Sequence, residues 1–192
     1  MNLFPTSYFP SISYFKALNS CPEPLISGNE LYVKQTFRNR CEVFTGNGIQ
    51  SLSVPISKSE GSKSLTKDLK IVQNQSWRKD HWGAIKSAYQ NAPYFEFYDC
   101  EIYDLIHAKH EFLLDLNEDI INFMNETFDL KRIQYSQENI NHEIAHNFLD
   151  RRSNSKEYVQ VFSDRFPFQS NLSILDLIFC EGPIGRKFIL AD

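Results

Sequence analysis

The 192-residue chain carries 20 basic and 24 acidic residues, a formal net charge of -4, and is 42% hydrophobic and 14% aromatic. Apolar content this high excludes a disordered chain, and the acidic balance excludes a general nucleic-acid binder, which needs a basic surplus. The length suits one domain, residues 1–192, large enough to bury a core.

The chain starts without the basic head and apolar run of a signal peptide. No run of eighteen apolar residues offers a membrane span. Cys21, Cys41, Cys100 and Cys180 form no C-x-x-C pair, which argues against a structural zinc site. The expectation is a cytoplasmic protein with reduced thiols.

In chain order, residues 2–7 read as a short strand that Pro5 limits to an edge or an end. A helix over 10–18 follows, opened by Pro10, with Ile12, Tyr14, Phe15 and Leu18 available for burial. Residues 24–27 suit a second strand. Residues 30–44 and 50–56 read as two strands joined by Thr45-Gly46-Asn47-Gly48, a strong hairpin signal. Residues 57–67 are polar and read as a solvated loop. The clearest helix opens at Ser76 and stops before Pro93. Its residues Trp77, His81, Ala84, Ile85 and Ala88 share one face.

A second helix is expected over 93–106, and a third from Asp115, where Glu118 completes a capping-box pattern and Ile120, Ile121, Met124 and Phe128 turn inward. Residues 132–135 suit a strand, 139–149 a short helix, and 158–162 are β-prone. The last helix, over 171–181, is apolar on most sides, with Asn171 available as its N-cap, and stops at Gly182-Pro183. The mixture without internal repeats predicts a single α/β or α+β domain with a central mixed sheet and packed helices.

Several residues carry candidate chemistry. On one strand, Lys34, Arg38 and Arg40 would share a face. The plain reading is the solvated side of a hairpin, and the functional one is a cradle for phosphate or carboxylate. Asn39 and Cys41 take the opposite parity, so Cys41 would point inward with Phe37 and Val43, where a thiol is inert. The alternative pairs Cys41 with His81 as nucleophile and base. His81 is either a satisfied boundary histidine or a general base for an attacking amine. Trp77 and Trp82 are core or a stacking surface for a ring. Asp176 lies in an otherwise apolar helix and needs a partner, an arginine such as Arg38 or Arg40 or a substrate amine.

His142-Glu143-Ile144-Ala145-His146 matches H-E-x-x-H, the helix-borne signature of zinc hydrolases. Leu149 and Arg152 stand where the metzincin continuation needs glycine and histidine. Two solvent-facing histidines are the plain reading. A zinc-dependent hydrolase using His142, Glu143 and His146 is the alternative.

Four segments together resemble a known family. They are Tyr8-Phe9-Pro10-Ser11-Ile12-Ser13-Tyr14-Phe15; Lys34-Gln35-Thr36-Phe37-Arg38-Asn39-Arg40-Cys41; Trp77-Arg78-Lys79-Asp80-His81-Trp82 with Ala88-Tyr89 and Pro93-Tyr94-Phe95; and Gln160-Val161-Phe162 with Asn171-Leu172-Ser173-Ile174-Leu175-Asp176-Leu177 and Glu181-Gly182-Pro183. Their order and spacing resemble the WbqC-like family. Ser170 departs from the proline that often precedes the Asn-Leu-Ser run, and Asp150, Arg152 and Lys156 match the family pattern only loosely.

The resemblance implies an association with bacterial O-antigen and other surface-polysaccharide gene sets. It also implies N-acylation of an amino sugar, with glycine or another aminoacyl group as the suggested donor. The expected partners are a nucleotide sugar and an acyl donor, with no cofactor. The expected catalytic residues are His81, Cys41 and Asp176. The expected substrate-binding residues are Tyr8, Lys34, Arg38, Asn39, Arg40, Trp82 and Asn171. A ligand-binding or assembly protein of the same pathway, without turnover, is the rival reading. The residues do not name the sugar, the donor or the oligomeric state.

Overall fold

The computed structural model describes residues 2–57, 64–74, 76–140 and 156–190. The fold is mixed α/β. Strand β1 (Leu3–Pro5) leads into helix α1 (Ile12–Ser20) and returns as β2 (Leu25–Ser27). The parallel register sets Leu3 beside Leu25 and Phe4 beside Ile26. A third parallel strand, β7 (Gln134–Tyr135), continues this sheet. Helix α1 buries Ile12, Tyr14, Phe15 and Leu18, the face its sequence predicts, and the Tyr14 hydroxyl donates to the Pro5 carbonyl at 2.7 Å.

The hairpin forms where Gly46-Asn47 predicts it, joining β3 (Arg40–Thr45) to β4 (Gly48–Ser53) with Arg40 opposite Ser53 and Thr45 opposite Gly48. Gly48 closes the turn at φ 104°, a conformation that glycine adopts without a Cβ clash. A small antiparallel pair follows, β5 (Ile56–Ser57) with β6 (Lys70–Ile71). Parallel and antiparallel pairing thus occur in separate small sheets among the described residues.

Helices supply most of the packing. They are α2 (Ser76–Tyr89), α3 (Phe95–His107), α4 (Leu113–Thr127), α5 (Ile174–Glu181) and α6 (Arg186–Leu190). Trp77, His81, Ile85 and Ala88 form the buried stripe of α2. Every residue of α5 from Ile174 to Cys180 is buried, so this helix is central, as its apolar sequence requires.

Several elements differ from the expectation by more than a residue or two at an end, or in kind. Residues 30–39 are not part of β3. The Thr36 hydroxyl donates to the Val33 carbonyl at 2.9 Å, Gln35 sits at φ 62°, and the chain turns back so that Arg38 reaches Glu30. A local hydroxyl bond and a buried ion pair override the strand pattern. Helix α4 begins at Leu113, two residues before the expected cap, and its N-cap Phe112 makes no side-chain cap bond. Residues 158–162 run into turns rather than a strand. Ser173, not Asn171, caps α5, its hydroxyl accepting from the Leu175 amide. The expected helix over 139–149 lies outside the described residues apart from its first two.

Candidate functional site

The segment 7–13 is the meeting point of the other three family-like segments. The Tyr8 amide and the Ser7 hydroxyl both donate to the Phe37 carbonyl, at 3.0 and 2.9 Å. The Tyr8 hydroxyl bonds Nδ1 of His81 at 2.9 Å. The Ser173 hydroxyl donates to the Phe9 carbonyl at 2.9 Å, and Asn171 Oδ1 accepts from the Ser13 amide at 3.0 Å, capping the first turn of α1. Phe9 is held at φ 37°, a conformation costly for a bulky residue, between two such pinned neighbours.

His81 is 4% exposed. Burial pushes its pKa down to about 4, opposed by a hydrogen bond to the Ser53 backbone. The ring is therefore neutral at pH 7. Nδ1 shares its hydrogen bond with Tyr8, and the Ser53 backbone lies close enough to oppose the downward shift. Trp77 packs edge-on to the imidazole, with ring centroids 5.0 Å apart. Arg78, missed by the sequence reading, is also buried and donates to the carbonyls of Ile106 and Ala108 at the end of α3, at 3.1 and 3.4 Å. It locks the angle at which α2 presents His81.

Cys41 points inward with Val43, as strand parity requires. Burial, then Glu42, drives its thiol well above the ordinary range, so no thiolate is present at pH 7. Asn39 is engaged at both ends of its amide, donating to Val54 O at 2.9 Å and accepting from Tyr32 at 3.0 Å.

Arg38 is fully buried, and its fork closes on Glu30, with Nε to Oε1 at 2.7 Å and Nη2 to Oε2 at 2.6 Å. Nη1 donates to Thr36 at 3.1 Å, and Asn117 of α4 donates to the Arg38 carbonyl at 2.8 Å. The guanidinium is thus spent on the fold, and the three cations expected on one strand face are dispersed. Glu30 was not legible as a partner, because a continuous strand would have separated the two groups.

Arg40 remains at the surface of the hairpin. With Gln35, Thr36, Phe37, Glu42 and Ser51 it lines a small pocket of about 80 Å³, and its Nε is buried without a hydrogen-bond partner. Lys34 is exposed nearby in sequence. Trp82 is half-buried, stacked on Phe95 at 6.1 Å and edge-on to Tyr103 at 5.4 Å.

Asp176 pairs with neither arginine. Its Oδ2 accepts from the Tyr158 hydroxyl at 2.6 Å and from Gln160 Nε2 at 2.8 Å. Burial raises its pKa to about 6, against those hydrogen bonds. Tyr158, Gln160 and Tyr89 are groups that sequence reasoning did not assign; only the need of a buried carboxylate for donors hinted at them.

The larger dent in the surface, about 490 Å³, lies at the end of α4 and the start of the following loop, lined by Asn122, Asn125, Glu126 and Asp129 among others. It contains no residue of the four segments. Among the described residues no cluster of three histidine, cysteine, aspartate or glutamate side chains is placed to hold a metal. His142, Glu143 and His146, and with them Asp150, Arg151 and Arg152, lie outside the described residues. No described helix is long and apolar enough to cross a membrane.

The uncharacterized protein Rv1507c of Mycobacterium tuberculosis is 28% identical to this chain over 119 residues, 61% of this chain and 51% of that protein. The matched region thus spans about half the length of that curated relative. No solved structure matches the chain. The model of the WbqC-like protein family matches residues 6–151, which include the pinned segment 7–13, the Arg38 turn, the hairpin and α2, and the chain belongs to that family.

Proposed function

We propose that the chain transfers an acyl or aminoacyl group, glycyl among the candidates, to an amino sugar carried on a nucleotide, in bacterial O-antigen or surface-polysaccharide precursor synthesis. One observation supports this most: the guanidinium of Arg40, its buried Nε without a hydrogen-bond partner, in the wall of a small pocket shared with Gln35, Thr36, Phe37 and Ser51. Phe37, a wall residue, takes the Tyr8 amide on its carbonyl, and Ser53, the strand partner of Arg40, bonds His81. A guanidinium in a pocket wall suits a phosphate oxygen. A pocket of about 80 Å³ holds a phosphate or the small acyl end of a donor, so the rest of a nucleotide sugar would lie along the surface past Lys34.

In the reaction the sugar amine attacks the acyl carbon, a new N–C bond forms, the donor's leaving group departs, and the amine proton goes to a base. His81 is 4% exposed and its Nδ1 is held by Tyr8, so the proton passes to water or to the donor's leaving group. Cys41 and Asp176 enter as supports of β3 and α5, since both are buried and neither presents a free anion at the pocket. The burial of His81, Cys41 and Asp176 also favours a second reading, a binding or assembly protein of the same pathway without turnover.

The test incubates the purified protein with nucleotide amino sugars and activated acyl donors. Thermal shift reads binding and mass spectrometry reads product. An acylated sugar establishes the first reading. A shift without product in any combination establishes the second, and no shift with any nucleotide sugar removes both.

A further inference from the structure

The β3–β4 hairpin has one covered edge and one open edge. On β3 the Phe44 amide donates to the Tyr89 hydroxyl at 3.3 Å, and the Glu42 carbonyl accepts from the Ser173 amide at 3.0 Å. Phe44 and Glu42 thus turn their backbone groups away from β4. In an antiparallel pair the residues opposite them turn theirs away on the other side. Those residues are Ile49 and Ser51. Among the described residues nothing bonds their amides or carbonyls. Ile49 is 46% exposed, and Gln50 and Ser51 beside it are exposed as well.

Folded proteins blunt open edges with proline, lysine or short length. The other strands of this chain follow that rule. Pro5 ends β1, one edge of the parallel sheet, and β7, its other edge, has two residues. β5 and β6 have two residues each, and β6 carries Lys70. Strand β4 has six residues, Gly-Ile-Gln-Ser-Leu-Ser, with neither charge nor proline. This edge is therefore left able to take another strand. Because β4 has no charge, an identical strand meets no like charge across it.

We propose that β4 pairs antiparallel with β4 of a second copy of this chain, joining two hairpins into one continuous sheet. The register follows from which groups are open. The Ser53 backbone lies close to His81, so α2 occupies that end of the strand. Pairing centred on Gln50 uses Ile49 and Ser51 alone. The Ile49 amide donates to the carbonyl of Ser51 of the partner subunit, and the Ser51 amide to the carbonyl of Ile49 of the partner subunit, with the same bonds returned by symmetry. Side chains opposite one another in such a pair share a face. Ile49 of the partner subunit then lies beside Ser51, on the face that holds Arg40 and Glu42, and adds an apolar wall to their pocket of about 80 Å³. The inference rests on the backbone of the hairpin and does not depend on the proposed transferase activity.

Analytical ultracentrifugation of the full chain over a concentration series up to about 0.5 mM tests it. The edge is short, so a weak, reversible dimer is expected. Gln50 faces its own copy across the two-fold axis. Gln50→Lys should therefore weaken the dimer at least about tenfold, and its exposed side chain leaves the fold intact. Cross-linking reads the register, in a Cys100→Ser background that removes the exposed native thiol. The two Gln50 Cα atoms should lie about 4.5 Å apart, within disulfide reach, so Gln50→Cys should give a linked dimer on mild oxidation. Asn47→Cys, at the exposed turn and far from its own copy in this register, should stay unlinked. A chain that is monomeric throughout the series overturns the proposal. So does a dimer that Gln50→Lys leaves intact, or one in which Asn47→Cys links as readily as Gln50→Cys.

Discussion

The Tyr8 hydroxyl and Nδ1 of His81 share a hydrogen bond of 2.9 Å, joining residues 73 positions apart in the chain and tying the first loop to the face of α2. Because both groups are buried, neither can substitute water for the other. Tyr8→Phe should leave the imidazole nitrogen without its partner and lower stability by about 1–3 kcal/mol. Chemical denaturation of the variant measures this. A loss below a few tenths of a kcal/mol would mean that the pair is incidental.

The same histidine gives the protein an acid sensitivity. Its folded-state pKa is depressed from 6.5 to about 4, so the folded form prefers the neutral ring. This contribution is fully present above pH 6.5 and is lost as pH falls through the interval down to 4, by about 3 kcal/mol in all. Asp176 acts with the opposite sign: its raised pKa favours the folded form at low pH, and that contribution is lost as pH rises from 3.8 through about 6. Stability measured across this range should be flatter in the wild type than in either single variant. His81→Gln should lack the loss on acidification, and Asp176→Asn should lack the loss towards neutral pH. Identical pH profiles for all three proteins would contradict both assignments.

Arg38 and Glu30 form a pair with no exposed side-chain surface. Removing one partner strands a buried charge, so Arg38→Ala and Glu30→Ala should each destabilise by about 3–5 kcal/mol. The double variant should be far less than additive, since no lone charge remains. A thermodynamic cycle by urea unfolding checks this. Additive losses would show that the two residues act separately.

Arg40 should behave in the opposite way. It lies at the pocket rather than in the core, so Arg40→Ala should leave thermal stability nearly unchanged. In the proposed reading it should weaken nucleotide-sugar binding by about 1.5–3 kcal/mol, the worth of a hydrogen bond to a charged group. Calorimetry with a nucleoside diphosphate sugar, run beside a melting curve, separates the two effects. Unchanged affinity would remove Arg40 from the binding site.

Gly182 ends α5 at φ 57° and ψ -146°, a region open only to glycine, and a Cβ there would stand 2.5 Å from the Tyr94 ring. Gly182→Ala should cost at least about 2 kcal/mol from backbone strain and the ring clash together. Tyr94→Leu in the same background should recover part of the loss, and unfolding midpoints of the single and double variants provide the measurement. A Gly182→Ala variant as stable as the wild type would show that the turn can relax.

Local rules, acting over a few residues, were readable in advance. Gly46-Asn47 set the hairpin and strand parity turned Cys41 inward. The apolar spacing of α2 buried Trp77, His81, Ile85 and Ala88, and the apolar run of α5 made it central. The family was legible too, because it resides in the order of short segments. What tertiary structure alone decided is which polar group answers which. Arg38 found Glu30 through a turn that strand periodicity hid, Asp176 found Tyr158 and Gln160 instead of an arginine, and Asn171 capped α1 rather than its own helix. A buried charge or amide must find a partner wherever the folded chain brings one, and that requirement is satisfied through space, without a period along the sequence.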